Sequence, residues 1–299
     1  MKKVLLVADC KGWAFDNHCQ EIKKRSTKFK CDIAYIDTDN IFEKSKEYDI
    51  VYVLDPMPFK YPPKEKVIMG LRCEFLYQDH PKGANGLYEQ GFPGRCVDIK
   101  DRCSVFHVLT NRQYNVFKDI VTDKPLLKCP HGVNLDIFKK KDRPLNKRFV
   151  VGMVGRPESL GQKGFDEVKK VCDEMGMFFR TAHYGKNKIP FNQMPDFYSS
   201  LNAYVCFSKS EGLQNPLLEA GAMGVPIVST KVGVADELIR NGENGILIDR
   251  DLFALKNALY NIRQYWVNNS MSDKIYEEVV NKWSWDIAIE KYEELFSSI

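Results

Sequence analysis

No stretch of the 299-residue chain stays apolar over the ~20 residues that a membrane-spanning helix requires. The nine cysteines are scattered, without a Cys-X-X-Cys pair or a metal-ligand spacing, which disfavours a zinc site and indicates a reducing cytoplasm. The chain also lacks low-complexity segments and any internal repeat of roughly 20 to 50 residues, which argues against solenoid and disordered classes. The net charge of +4 gives only weak support for attraction to phosphates or to an anionic surface. These absences leave a soluble globular protein long enough for two domains.

Short β-branched runs alternate with longer amphipathic segments from one end of the chain to the other. This alternation is typical of parallel strands joined by crossover helices, and it predicts an α/β protein with two doubly wound domains. The polar, proline-containing run at 139–148 predicts a linker, so we assign residues 1–140 to a first domain and 149–282 to a second. The region 76–100 has no periodicity and is expected to be loop. The predicted strands are 4–8, 33–37, 50–54, 67–71, 104–109, 149–154, 179–184, 203–208, 226–229 and 245–248.

Two glutamates, Glu211 and Glu219, lie on either side of a predicted helix start. Asn215 can cap free backbone N–H groups, and Pro216 suits the first helical position. Glu219 then falls near the positive end of the helix dipole, where a carboxylate contributes ~0.3–1 kcal/mol without any ligand. The alternative is functional, because N–H groups at a helix start bind a phosphate or sugar oxygen. Taken alone, this segment favours neither interpretation.

A second segment, residues 154–164, combines two cations with several glycines. Arg156 follows a predicted strand after Gly155, and Lys163 precedes the next predicted helix. Such a pair suits a diphosphate, since arginine can donate two N–H groups and lysine acts as a point charge. A solvated basic loop is the alternative. The segment lacks the Walker spacing, which disfavours a P-loop ATPase.

Five short motifs occur in the order and spacing of a known family. They are Gly155-Arg156, Lys163-Gly164, Ser210-Glu211-Gly212, Pro216-Leu-Leu-Glu219-Ala220 and Gly224-Val-Pro-Ile-Val228. They resemble the nucleotide-sugar domain of GT-B glycosyltransferases, and more narrowly the retaining glycosyltransferase family 4, whose signature is two glutamates separated by seven residues, as here. The resemblance implies a GT-B fold, with two Rossmann-like domains facing a central cleft. It also implies that residues 283–299 form a terminal helix packing on the first domain.

The resemblance implies a role for each matched residue. Arg156 and Lys163 would hold the donor diphosphate and neutralise the leaving group, Glu211 would lie beside the donor sugar, and Glu219 would accept hydrogen bonds from ribose hydroxyls. Arg156, Lys163 and Glu211 are thus the expected catalytic residues. Neither a cofactor nor a metal ion is expected, since the nucleoside-diphosphate sugar is itself a substrate. The remaining residues expected around the donor are Gly12, Gly155, Gly212, Leu213, Asn215, Pro216 and Leu217.

The acceptor side is expected in the first domain, where the pattern is less specific. His80 and Trp13 are candidates, although each is equally or better explained as a structural residue. We expect a retaining, metal-independent hexosyltransferase acting on a glycan or a lipid-linked saccharide, in the cytoplasm, with peripheral contact at the inner membrane surface left open. Three alternatives stay open at this point. They are a hydroxylated DNA base as acceptor, a non-catalytic nucleotide-sugar-binding protein, and a GT-B epimerase or phosphorylase.

Overall fold

A computed structural model of the chain describes residues 1–72, 99, 101–141, 148–155, 162–183, 189–265 and 270–299. The chain divides into two compact units. The first unit consists of Met1–Gly132 together with Trp285–Ile299, and the second is Val133–Ser284. Within the described ranges, no helix combines the length and the apolar character needed to cross a bilayer.

The first unit contains a parallel sheet of six strands in the order β2-β1-β3-β4-β5-β6. Its central strands are buried along their whole length, which explains why their sequences are continuous apolar runs rather than alternating ones. The strands are β1 (Lys3–Ala8), β2 (Lys30–Tyr35), β3 (Ile50–Val53), β4 (Val67–Leu71), β5 (Val105–Val108) and β6 (Leu126–Lys128). The helices are α1 (Ala14–Arg25), α2 (Ile41–Lys44), α3 (Asn111–Phe117) and the C-terminal α10 (Trp285–Phe296).

Helix α10 covers one face of the first sheet with an apolar stripe. The stripe residues recur at helical spacing, and the rings of Tyr292 and Phe296 contact Tyr52 of β3 with centroids 5.9 and 5.5 Å apart. Glu293 on the same helix is buried, and its Oε1 accepts hydrogen bonds from the backbone N–H groups of Thr27 and Lys28 at 2.7 and 2.9 Å. The terminal helix is therefore part of the first unit's core and also binds the segment that follows α1.

The second unit contains a parallel sheet of five strands in the order β11-β10-β9-β7-β8. Its two ends lie side by side. Val133 and Ser284 form a parallel bridge, and the N–H of Val133 donates to Trp283 O at 2.8 Å. The strands are β7 (Val150–Gly155), β8 (Phe178–His183), β9 (Ala203–Cys206), β10 (Ile227–Thr230) and β11 (Ile246–Ile248). The helices are α4 (Phe165–Glu174), α5 (Met194–Ser199), α6 (Asn215–Ala222), α7 (Ala235–Leu238), α8 (Leu252–Tyr265) and α9 (Ser270–Lys282).

The α/β prediction is confirmed, and all ten predicted strands overlap strands of the two sheets. Strand β6 was not predicted, since it has three residues and none is fully buried. The division after Gly132 precedes the expected linker at 139–148, of which 142–147 lie outside the described residues. Lys140 and Lys141 pair with Asp273 and Asp196, so the described part of this basic run is attached to the second unit.

Candidate functional site

The strand order of the second sheet creates a natural binding crevice at β7 and β9. The chain leaves β7 towards β8 on one side of the sheet, whereas β9 leads to β10 on the other. Ligands in doubly wound folds bind outside the carboxyl ends of the strands at such a reversal. The loop after β7 carries Lys163 and the loop after β9 carries Glu211, and the N–H of Lys209 joins the two loops by donating to Gln162 O at 2.9 Å.

Glu211 is held in this crevice by two donors. Its Oε1 accepts hydrogen bonds from Lys163 Nζ and from Ser208 Oγ, the latter at 2.7 Å. The side chains of Lys163 and Glu211 are 26% and 15% exposed, so the ion pair is partly shielded but reachable by a ligand. The stem of Lys163 passes over Gly155, where an added Cβ would lie 3.4 Å from Lys163 Cε. A ligand anion at this position would meet a lysine whose counterion is already in place.

The start of α6 lies directly beside this ion pair. The expected capping by Asn215 is wrong: Asn215 is the first helical residue, Pro216 follows it, and Gln214 occupies the cap position. Gln214 does not cap through its side chain, because Oε1 accepts from Val234 N at 3.0 Å and Nε2 donates to Val232 O at 2.9 Å. The loop before α6 is thereby fixed to the turn that follows β10.

Glu219 lies in the middle of α6 rather than in its first turn, which contains no acidic residue. The helix dipole acts mainly within the first turn, so dipole compensation does not account for this carboxylate. Its Oε2 accepts a hydrogen bond of 2.6 Å from the hydroxyl of Tyr198 on α5. Burial raises the pKa of Glu219 to about 7, and the Tyr198 hydrogen bond opposes that shift. Glu219 is therefore poised between its charged and neutral forms near neutral pH.

A small pocket opens among these groups at the carboxyl ends of β7 and β9. Lys163, Glu211 and Pro216 lie on its wall together with Ser208 and Gln214. The polar groups come from the loops that follow β7 and β9, and strand residues form the wall beneath them. This arrangement of an apolar base with a few converging polar groups is typical of a small-molecule site.

The other expected site residues have different positions. Gly212 lies in the loop before α6, and Leu213 and Leu217 are buried, so their side chains contribute to the core and only their backbone can meet a ligand. In the first unit, Gly12 and Trp13 follow β1, with Gly12 at φ 81° and its N–H donating to Asp16 Oδ2 at 2.7 Å. Arg156 and His80 lie outside the described residues.

Sequence reasoning missed three side chains that organise the site, namely Tyr198, Ser208 and Gln214. Ser208 lies two residues after the end of β9 and three residues before Glu211, and this position in the sequence could have identified it. Tyr198 gives no such signal, because its contact with Glu219 depends on how α5 packs beside α6.

Residues 147–264 match the family model described as Glycosyl transferases group 1. The matched segment contains the crevice, both glutamates and Lys163. A relative with similar sequence is the capsular polysaccharide biosynthesis glycosyltransferase CapM of Staphylococcus aureus, 26% identical over 194 residues, which are 55% of this chain and 50% of CapM. The chain thus spans about half the length of that relative.

Two solved structures resemble this chain over its whole length. Sucrose-phosphate synthase from Thermosynechococcus elongatus aligns with a TM-score of 0.75 at 14% identity, covering 100% of both chains. Anabaena HepE, solved in complex with UDP and glucose, aligns with a TM-score of 0.70 at 13% identity, also covering 100% of both. At these identities the likeness establishes the fold, which is the GT-B fold.

Proposed function

We propose that this protein is a retaining glycosyltransferase that moves a sugar from a nucleoside-diphosphate sugar to a hydroxyl group of a glycan. The observation that carries the proposal is the convergence of Lys163, Glu211 and the start of α6 at the strand-order reversal of a segment matching the group 1 family. Cations and a helix start suit a diphosphate, and carboxylates suit the hydroxyl groups of sugars.

Each group has a defined task in this proposal. Lys163, with Arg156 from the same loop, binds the diphosphate. Glu219 accepts hydrogen bonds from the ribose hydroxyls, and Glu211 lies beside the donor sugar. Backbone N–H groups from Gly212 to the start of α6 complete the donor site. HepE, a protein of the same fold, was solved with UDP and glucose, which supports a nucleotide-sugar donor for this chain.

The chemistry follows from the group that leaves. The bond between the anomeric carbon and the phosphate oxygen breaks and leaves its electron pair on that oxygen, a bond from the acceptor oxygen to that carbon forms, and the hydroxyl proton of the acceptor passes to water. Negative charge therefore develops on the nucleoside diphosphate. Lys163 and Arg156 stabilise this charge, and the protein also positions the acceptor hydroxyl. Because two side-chain cations serve the phosphates, we propose that transfer needs no divalent metal ion.

The acceptor is proposed to be a growing polysaccharide or a lipid-linked saccharide. CapM is named for capsular polysaccharide biosynthesis, and it is 26% identical to this chain over 194 residues. A hexose as the transferred sugar belongs to the same proposal. No observation on the described residues favours a DNA base as the acceptor.

The test measures release and transfer of labelled sugar from a panel of nucleoside-diphosphate sugars, with and without EDTA. The wild-type protein is expected to consume at least one donor, and EDTA is expected to leave the rate unchanged. Lys163→Gln removes a charge-assisted contact with the diphosphate and is expected to weaken donor binding by about ten- to a hundredfold.

Lys170→Gln is the matched control, because Lys170 is an exposed lysine on α4 away from the crevice. It should behave like the wild type. Loss of turnover in Lys170→Gln, or wild-type donor binding in Lys163→Gln, would contradict the proposed site. Nucleotide-sugar binding without any sugar release would identify a non-catalytic binding protein instead.

A further inference from the structure

Glu219 has one described protein partner, and that partner lies on a different helix. Tyr198 on α5 donates its hydroxyl hydrogen to Oε2 of Glu219 over 2.6 Å. Among the described residues, no donor reaches the other oxygen, Oε1, and the side chain is partly exposed. One oxygen of this carboxylate is thus held by the protein, while the other is available to a ligand.

Tyr198 is itself held rigidly. The side chain is fully buried, and its ring packs against those of Phe138, Phe197 and Tyr204, with centroids 6.0, 5.5 and 5.9 Å away. Burial and the neighbouring Glu219 raise the pKa of the phenol well above 10, so the hydroxyl keeps its proton and remains a donor. Within this packing, the described acceptor for the hydroxyl is the Glu219 carboxylate.

The hydrogen bond from Tyr198 restricts the terminal side-chain torsion of Glu219, which the helical backbone does not restrict. The terminal torsion of a glutamate side chain is broad, so a carboxylate on a helix can turn its oxygens over a wide range. A bond to an immobile phenol fixes the carboxylate plane. Lone pairs remain on both oxygens, because a carboxylate offers about four acceptor positions and Tyr198 uses one of them. A pair of neighbouring hydroxyl groups can then meet acceptors whose positions are set before the ligand arrives.

We propose that Tyr198 is a positioning residue that orients the Glu219 carboxylate towards the ribose hydroxyl groups of the donor nucleotide. This inference rests on the proposed function, in which Glu219 binds the ribose, and it adds a residue that acts on the nucleotide only through Glu219. Tyr198 therefore contributes to the choice of ribonucleotides over deoxyribonucleotides without touching either.

The experiment compares Tyr198→Phe with the wild type in calorimetric binding of ADP, GDP and UDP and of their 2′-deoxy counterparts. Phenylalanine keeps the buried ring and removes only the hydroxyl. The wild-type protein is expected to favour the ribonucleotide that it binds by about ten- to a hundredfold, the range for a hydrogen bond to a charged group. In Tyr198→Phe, ribonucleotide affinity should fall about tenfold, and the affinity for the 2′-deoxynucleotide, which keeps only the 3′-hydroxyl contact, should fall by less.

A double-mutant cycle with Glu219→Gln separates positioning from a general structural effect. If Tyr198 acts through Glu219, adding Tyr198→Phe to Glu219→Gln should change ribonucleotide affinity by less than about twofold. Tyr276→Phe, which alters a tyrosine on α9 outside the site, is the control and should bind as the wild type does.

Equal losses for ribo- and deoxynucleotides in Tyr198→Phe, or a full tenfold loss in the Glu219→Gln background, would overturn the positioning role. If Glu219→Gln retains wild-type ribose discrimination, the ribose role of Glu219 in the proposed function is wrong and the inference falls with it. If Glu219→Gln loses discrimination and Tyr198→Phe does not, the proposed function stands and the inference alone is rejected.

Discussion

At the scale of single residues, the two glutamates of the sequence signature, Glu211 and Glu219, have different surroundings. Glu211 has a lysine and a serine as donors, whereas Glu219 has a phenol and no described cation beside it. Burial without an opposite charge disfavours the ionised form, and for Glu219 the pKa rises from 4.5 to about 7. Ionising Glu219 therefore lowers the stability of the folded state.

Glu219→Gln should stabilise the protein at about pH 8. A carboxyl group whose pKa is higher in the folded state binds protons more tightly when folded, so wild-type stability falls as the pH rises from 4.5 to about 7. Glutamine removes this penalty, which we expect to be on the order of 2 kcal/mol because the side chain keeps some contact with solvent. Urea unfolding at several pH values measures the difference.

The stability difference between Glu219→Gln and the wild type should shrink as the pH falls through 7 and disappear below about pH 4.5. A difference that is independent of pH would contradict the raised pKa. The same variant should lose ribose recognition, so stability and function move in opposite directions, as is common at binding sites.

Sequence reasoning singled out Lys163, Glu211 and Glu219 as candidates, because their spacing in the motifs is a local property, and the structure pairs Lys163 with Glu211. It did not reveal the partners of these residues, which come from other elements. The capping assignment failed for a related reason. Asn215 and Gln214 are both plausible caps by residue type, and the contacts of Gln214 with Val232 and Val234 decide the geometry.

At the scale of elements, the turn after β10 supports the loop before α6. Gly233 in this turn has φ 54°, and an added Cβ would lie 2.4 Å from Gly212 O and 2.5 Å from Gln214 Oε1. A side chain at this position would therefore push directly on the backbone of the crevice.

Gly233→Ala should destabilise the protein by more than about 2 kcal/mol, because left-handed strain adds to the clash. Nucleotide affinity should fall by more than about tenfold, since Gly212 and Gln214 must shift. Thermal unfolding and calorimetric binding measure the two effects.

Gly176→Ala is the matched comparison. Gly176 also has a positive φ of 62°, but nothing lies within 4 Å of an added Cβ. This change should cost about 1 kcal/mol for backbone strain and leave nucleotide affinity unchanged. Equal affinity losses in both variants would show that the turn does not support the site.

The strands could be predicted from the sequence where all or nearly all of their residues are buried. Strands of the two sheets read as apolar, β-branched runs because both faces are covered. The three-residue β6 escaped prediction because its burial is partial, and its pairing with β5 depends on the rest of the sheet.

At the scale of the whole molecule, the first unit is built from both ends of the chain. Glu293 on α10 accepts from the backbone of Thr27 and Lys28, which lie far away in sequence. Ser26 Oγ and Thr27 Oγ1 donate to the same oxygen at 3.2 and 3.3 Å. One carboxylate thus ties the terminal helix to the segment between α1 and β2.

Glu293→Ala should destabilise the first unit by about 2–4 kcal/mol, because two backbone N–H groups lose their acceptor. Amide hydrogen exchange at Thr27 and Lys28 should accelerate. Nucleotide affinity, which the proposed function assigns to Lys163 and the two glutamates of the second unit, should stay within about twofold of the wild type.

Glu290→Ala on the exposed side of the same helix controls for a change in helix propensity. It should alter stability by less than about 0.5 kcal/mol. Unchanged exchange at Thr27 and Lys28 in Glu293→Ala would mean that other contacts hold this segment.

The two-domain α/β organisation could be predicted because it follows from alternating patterns along the whole chain. The place where the units divide could not, because a charged, proline-containing run looks like a linker whether or not its lysines are paired. Here Lys140 and Lys141 pair with acids of the second unit, and that information is not local in sequence.

The bridge between Val133 and Ser284 makes the second unit an insertion with adjoining ends. The two junctions of this insertion lie close together. Trp283, in the second unit, and Trp285, in the first, stand on either side of the second junction. Such a topology allows the second unit to be exchanged as a single continuous segment. The corresponding unit of a related protein could replace residues 133–284 through two closely placed junctions, which leave the first sheet and its terminal helix intact.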